Sequence, residues 1–212
     1  MSGRKQFDVD AALDRAMRVF WQLGYADASL DALGSATGLG RGSLYGTFGT
    51  KEVLFRRCLD HYSSIYGAQY EHALCAHPHD PVRAVQAFFD VTLDRIADPS
   101  VPGGCLIAQS AAQSPTLTQD SGMQVRGLLE TQRRRIRTAL THTQADTATL
   151  DELATYVVAV NQSLAVLSRA GAPVAELRVV ARLAATTVAH TLATAATPDV
   201  AETGFPPGTP GQ

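Results

Sequence analysis

Three cysteines in 212 residues, scattered at Cys58, Cys75 and Cys105, cannot form a disulfide framework and suit a reducing cytosol. No run of 18 apolar residues exists to cross a membrane, and the opening MSGRKQFDVD lacks the apolar segment of a secretory signal. These absences point to a cytoplasmic protein. Neither sign of charge dominates: 18 Lys+Arg stand against 20 Asp+Glu, a net charge of −2. There is no global pull toward nucleic acid, so any DNA-binding face has to be local. Seventeen Gly and ten Pro are ordinary numbers, which excludes collagen and wholesale disorder. No alternating apolar–polar stretch is long enough for a strand, and no repeat is visible. An enzyme would need a nucleophile–base pair or a metal site, and Ser110, Ser114 and His142 come with no such context. A chain of this length can still bury a real core.

What is present is helical periodicity. From Asp8 to Gly24, Leu13, Ala16, Met17, Phe20 and Trp21 recur at three- and four-residue spacing, one face of an amphipathic helix closed by glycine. Ser29 is placed to cap a short helix that stops at Gly38. Another short helix starts near Arg41 and ends at Phe48-Gly49. Thr50 caps a long helix whose apolar stripe runs through Leu54, Cys58, Ile65 and Tyr66. After the break His77-Pro78-His79-Asp80-Pro81, helices are predicted over 82–97, 105–113, 122–140, 150–170 and 174–195. The tail 197–212, with four Pro and three Gly, predicts disorder. The fold class expected is all-α, with about nine helices.

The segment SLDALGSATGLGRGSLYGTF carries the function. Gly34 lies where a side chain would hold the following helix away, and Gly38 lies at a turn where positive φ is cheap only for glycine. Leu30, Leu33, Leu39, Leu44 and Phe48 supply the contacts that lock two short helices at a steep angle. This is helix-turn-helix spacing, in which the second helix enters the DNA major groove. The Leu13/Phe20/Trp21 face of the first helix offers the platform both need.

Residues 7–58 resemble the DNA-binding domain of TetR-family (tetracycline-repressor-type) transcriptional regulators. The likeness rests on Phe20-Trp21-Gln22-Leu23-Gly24-Tyr25, Ser29-Leu30, Gly38-Leu39, Gly42-Ser43-Leu44-Tyr45 with Phe48, and Thr50-Lys51-Glu52-Val53-Leu54. Gly103-Gly104-Cys105-Leu106-Ile107 resembles one branch of the family's ligand domains. The resemblance implies a helix-turn-helix domain over 1–50 (motif about 28–47) and a ligand-binding and dimerisation domain over 51–196. By the same resemblance, Tyr45 and Lys51 contact phosphate, Ser29 and Thr37 touch the backbone across the groove, and Arg41, Gly42 and Ser43 face base edges. Among those three only Arg41 can bind guanine bidentately. Gly40 stands where many members carry Ser or Thr, so the recognition helix loses a capping side chain.

The expected function is a one-component regulator, a repressor in reading. A homodimer would bind a near-palindromic double-stranded operator and be released by a small apolar or aromatic effector, with no cofactor and no membrane partner. Tyr62, Tyr66, Phe88, Phe89, Cys105 and Gln109 are candidates for the effector pocket. Two apolar stripes, Leu153/Tyr156/Val157/Val160/Leu164/Leu167 and Leu177/Ala184/Val188, are candidates for the dimer interface. The alternatives are a metal- or redox-responsive regulator of the same fold and a helical enzyme or ligand-binding protein. His72, Cys75, His77 and His79 have ligand chemistry, but their spacing matches no closed zinc pattern, so no metal site is assigned. Arg133-Arg134-Arg135 and Arg137 read as a solvated face. In residues 1–60, eight Lys/Arg meet seven Asp/Glu, so Arg4, Lys5, Arg41 and Lys51 must be gathered toward DNA by the fold.

Overall fold

The first helix starts where its cap stands: the Asp8 carboxylate accepts hydrogen bonds from the backbone N–H groups of Asp10 and Ala11. In the computed structural model, which describes residues 8–195, α1 (Val9–Asp27) buries Leu13, Ala16, Met17, Phe20 and Trp21 on one face. Gly24 interrupts it at φ 82° and ψ 172°, and the chain resumes one more turn before Ala28. α2 (Leu30–Thr37) and α3 (Arg41–Phe48) follow, joined through Gly38 at φ 73°. Thr50 caps α4 (Lys51–Cys75), a single helix of 25 residues. Then come α5 (Pro81–Ala97), α6 (Leu106–Ala112), a 3₁₀ turn (Ser114–Thr116), α7 (Gln119–Leu140), α8 (Thr147–Arg169) and α9 (Val174–Ala195). Among the described residues the nine α-helices meet no strand. α7 and α8 begin three residues earlier than periodicity alone predicts, because Thr118 and Asp146 cap polar first turns. The expected disordered tail 197–212, and Arg4 and Lys5, lie outside the described residues.

Two apolar cores divide the molecule. One gathers α1, α2 and α3 with Leu54, Phe55, Cys58, Leu59 and Tyr62 of α4, and with Cys105 and Leu106. The other joins Tyr70 and Leu74 of α4 to Phe88, Phe89 and Leu93 of α5 and to the inner faces of α7, α8 and α9. The expected division at 50/51 therefore coincides with the α3–α4 junction, while the first turns of α4 pack with the helices before it. Tyr66 packs against both cores.

Six of the nine residues expected at the dimer interface face inward, while Tyr156 and Leu167 of that set are exposed. Leu153, Val157, Leu164, Leu177, Ala184 and Val188 are buried within one chain, 5% exposed or less, because α5 packs into the angle between α8 and α9. A helix that is apolar nearly all round has two candidate faces, and these six mark the inner one. The outer face carries Tyr156, Val166 and Leu167 on α8 and Val179 and Leu183 on α9, all at least 37% exposed. Val160 lies between, partly buried.

Long-range bonds tie α1 to the later helices. Arg169 of α8 donates to the Trp21 and Gln22 carbonyls, Arg18 of α1 donates to the Ser100 carbonyl, and the Tyr25 N–H donates to Gln113 Oε1. Gly24 makes the last of these possible: a Cβ there would lie 2.3 Å from Gln113 Oε1. Gly24→Ala is expected to lower unfolding stability by about 1–3 kcal/mol, from both the Gly-only dihedrals and the clash. In a Gln113→Ala background the cost should shrink toward the dihedral part alone, a difference readable as non-additivity in urea denaturation.

Candidate nucleic-acid interface and core site

The recognition helix exists because two side chains anchor it. Leu44 and Phe48 of α3 are buried, 3% and 2% exposed, against the core beneath. At Gly34 of α2, an added Cβ would come within 2.9 Å of the Leu39 carbonyl oxygen. The close approach expected from the sequence is therefore present, with the turn backbone as the neighbour. Arg41, Gly42, Ser43 and Tyr45 are left on one solvent face, Tyr45 48% exposed. Gly40 occupies the N-cap and makes no side-chain cap bond, as its composition requires.

The expected contact residues are not all free to act. Arg41 is tethered to α2: its Nε and Nη2 hold the Asp31 carboxylate at 2.8–3.1 Å, on the surface. Lys51 Nζ donates to the Ala26 carbonyl at 3.3 Å and lies 4.8 Å from the Tyr25 ring centroid. Partial burial lowers its pKa, against the pull of Asp27. Its remaining ammonium protons still reach solvent at the α4 N-terminus, where backbone N–H groups favour an anion. Ser29 is exposed and caps α2 by accepting from the Ala32 N–H. Thr37 departs from expectation. It is 5% exposed and its hydroxyl donates to the Leu33 and Gly34 carbonyls, so it closes α2 instead of facing the groove.

Two charges near this face have partners that the sequence does not reveal. Asp31 looked like an ordinary first-turn acid, and only the folded geometry brings it to Arg41 across ten residues. Arg57 of α4 donates to the Thr47 carbonyl and lies 5.1 Å from the Phe48 ring centroid, pinning the end of α3. The Arg133–Arg137 run is largely neutralised: Arg133 pairs with Glu130 and Asp151, Arg135 with Glu71, and Arg137 with Asp151. Among the described residues, no group of three or more His, Cys, Asp and Glu could hold a metal ion.

The candidate pocket residues fall into both cores. Tyr62 donates to Cys105 Sγ at 3.3 Å and stacks tilted on Tyr66, while Trp21 meets both rings edge-on at 5.1 and 5.7 Å. Phe88 and Phe89 lie in the other core, where Phe88 packs on Tyr70 at 4.7 Å. Gln109 is half-buried. Burial raises the Tyr62 phenol well above its ordinary pKa and pushes the Cys58 thiol up as well, so both stay neutral. The buried polar chain at the centre was not anticipated: Arg95 donates to Tyr70 Oη, which bonds Thr92, which donates to Asn161. In sequence Arg95 was one more cation in the last turn of a helix, with nothing local to mark it as buried.

A capped platform helix, two short helices joined through a left-handed glycine and an all-helical body define a bacterial helix-turn-helix regulator. Residues 12–58 match the family "Bacterial regulatory proteins, tetR family" and residues 81–194 match "Tetracyclin repressor-like, C-terminal domain". The chain belongs to the TetR family, whose members are DNA-binding transcriptional regulators and not enzymes. It is 38% identical over 118 residues to the HTH-type transcriptional repressor ComR of Escherichia coli, covering 56% of this chain and 55% of ComR. It is 34% identical over 113 residues to the HTH-type regulator YezE of Bacillus subtilis, covering 53% and 58%. The chain thus matches little more than half the length of these curated relatives. Among solved structures, a cysteine mutant of the TetR-family regulator CifR, complexed with 26-bp double-strand operator DNA, matches with TM-score 0.77 and 33% identity. That match covers 86% of this chain and 97% of CifR. A TetR regulator from Chloroflexus aurantiacus matches with TM-score 0.74 at 25% identity, over 84% and 92%.

Nothing lies within 4 Å of a Cβ built at Gly46, in the middle of α3. Gly46→Ala should therefore stabilise the protein by about 0.5–1 kcal/mol through helix propensity, read as a higher thermal midpoint.

Proposed function

We propose that this protein is a ligand-released repressor, a homodimer that seats two copies of α3 in successive major grooves of a near-palindromic operator. The observation that carries the reading is the anchored α3, with Leu44 and Phe48 turned in and Arg41, Gly42, Ser43 and Tyr45 turned out. Ser29, Tyr45 and Lys51 border that face and supply phosphate contacts, which position without specifying. Arg41 supplies the base contact once it exchanges Asp31 for guanine. The operator complex of the similar CifR and the repressor name of the similar ComR support the same assignment. Such a protein acts in the cytoplasm; no helix of the described residues is long and apolar enough to cross a membrane.

Release follows from the shared helix α4. Its first turn lies at the DNA face, and its middle turns hold Tyr62 and Tyr66 beside the core aromatics. A small organic molecule entering there shifts α4 and changes the spacing of the two α3 helices. Operator half-sites lie about 34–36 Å apart on one DNA face, so a dimer of altered spacing cannot seat both. Dimerisation uses the outer faces of α8 and α9. A gel shift on DNA upstream of the protein's own gene tests the reading, and failure to bind any such fragment at low salt would remove it.

Lys51→Ala should weaken all DNA sequences alike and lower the salt slope by about one unit per lost contact, about two per dimer. Arg41→Ala should instead relax preference at one base pair in each half-site. Asp31→Asn is expected to act in the opposite direction, freeing Arg41 and removing an acid from the interface. A surface pair of this kind is worth about 0.2–1 kcal/mol, so affinity should rise by up to about fivefold per half-site and up to about thirtyfold for the dimer, measured by fluorescence anisotropy.

The corrected dimer face separates two outcomes. Leu183→Glu, at a position 59% exposed, should give a folded monomer by ultracentrifugation with weakened operator binding. Leu164→Glu, at a fully buried position, should unfold the protein instead.

A further inference from the structure

Arg95 is a buried cation without an anionic partner. It is 5% exposed in the last turn of α5, and only its Nη1 is satisfied, by donation to Tyr70 Oη at 2.7 Å. Nε and Nη2 are buried with no acceptor. These two N–H groups leave one edge of the guanidinium in parallel, the fork that takes both oxygens of a carboxylate. Elsewhere the chain fills that same edge: Arg41 holds Asp31, and Arg133 holds Glu130, through Nε and Nη2. A guanidinium cannot lose its proton to escape burial, so an unpaired fork is costly until an acceptor arrives.

The surroundings supply rings and neutral hydroxyls in place of charge. The Arg95 Cζ lies 5.3 Å from the Tyr66 ring centroid and 5.9 Å from that of Tyr70. Tyr66 also meets Trp21, whose Nε1 is a second buried donor with no acceptor. Two unsatisfied donors, one on α5 and one on α1, therefore border a single half-buried ring. Tyr66 and Arg95 both line a cleft of about 640 Å³ between α4 and α5, with Gln69, His72, Asp94 and Asp98 along it. The two exposed acids oppose long-range attraction of anions. Selection has to come from the fork at contact.

We propose that Arg95 anchors the carboxylate of a small effector whose apolar body packs against Tyr66, the ring that rests edge-on against Trp21. This rests on the ligand-released reading above and names the chemistry of its ligand. The packing of Tyr66 on Trp21 carries binding into α1, the platform of the DNA-binding helices. The phosphate-contacting end of α4 is reached through the same core.

Benzoate and benzamide have nearly the same shape and differ in charge, and Trp21 is the only tryptophan. Benzoate, phenylacetate and salicylate, each beside its amide, are titrated into the full-length protein while Trp21 emission and the thermal midpoint are followed. At least one carboxylate is expected to give a saturable response about tenfold or more tighter than its amide. Arg95→Met and Arg95→Lys should each lose about tenfold or more of that affinity; the lysine keeps the charge without the fork. Should Arg95→Met not fold, by far-UV circular dichroism, Arg95→Lys alone decides. The proposal is overturned if no carboxylate gives a saturable response, if amides bind as well, or if Arg95→Lys binds as wild type does. A gel shift without added ligand keeps the two readings apart. Loss of DNA binding with the carboxylate response intact removes the regulator reading alone, and the reverse removes the Arg95 anchor alone.

Discussion

Trp21 packed edge-on against Tyr62 and Tyr66 is the contact on which the two halves of the molecule depend. The indole belongs to the platform helix of the DNA-binding motif, and both tyrosines belong to the middle of α4. Burial of three aromatic rings there is worth several kcal/mol in area alone, and edge-to-face geometry adds about 0.5–1.5 kcal/mol per pair. With this seam in place, α4 cannot move relative to α1 without disturbing well-packed rings. The helix-turn-helix is thus mounted on a rigid joint that also forms the wall of the candidate ligand site. Arg169 and Gln113 reinforce the joint by bonding to α1 backbone on either side of Gly24.

Charge in the folded chain is mostly paired, which suits a nearly neutral protein proposed to bind DNA only where geometry allows it. Arg41 is held by Asp31, Lys51 by a backbone carbonyl, and Arg133, Arg135 and Arg137 of α7 by acids of α4, α7 and α8. Each exposed pair is weak and exchangeable at physiological ionic strength. On the proposed reading, exchange of Asp31 for a guanine edge costs Arg41 little, and exchange for water gains nothing. Non-specific attraction is thereby kept low while direct readout stays available. This accounts for a DNA-binding face in a domain where eight basic residues meet seven acids among positions 1–60.

The helix-turn-helix was legible because its determinants are local. Ser29 and Thr50 caps, the left-handed Gly38 and the Leu44/Phe48 spacing act within a few residues of each other, and the structure has each of them in that role. Thr37 was misread because a hydroxyl in the last turn of a helix can bond its own carbonyls as readily as a partner. The expected stripes of α8 and α9 mixed inner and outer faces because both helices carry apolar residues on more than one side. Periodicity then cannot say which side α5 will cover. Arg95 had no local signal at all, since its environment is made by residues of α1, α4 and α8 far away in the chain.

A buried unpaired guanidinium would be a poor choice for a part whose only task was stability. Removing the partner of a buried charge costs about 3–5 kcal/mol, and an apolar residue of similar volume avoids that penalty altogether. The same penalty is useful in a switch. Coupling between an effector and a DNA site amounts to about 1–3 kcal/mol, a fraction of what satisfying the Arg95 fork can release. Only differential affinity shifts a conformational equilibrium, so the fork has to be better satisfied in the state that lets DNA go. On the proposed reading, the Trp21–Tyr66–Arg95 arrangement is where that difference would arise. A ligand oxygen on Arg95 and a ligand body against Tyr66 would both act on the ring that packs against Trp21 of α1. Binding energy spent at the fork is then delivered to the joint that fixes the recognition helix.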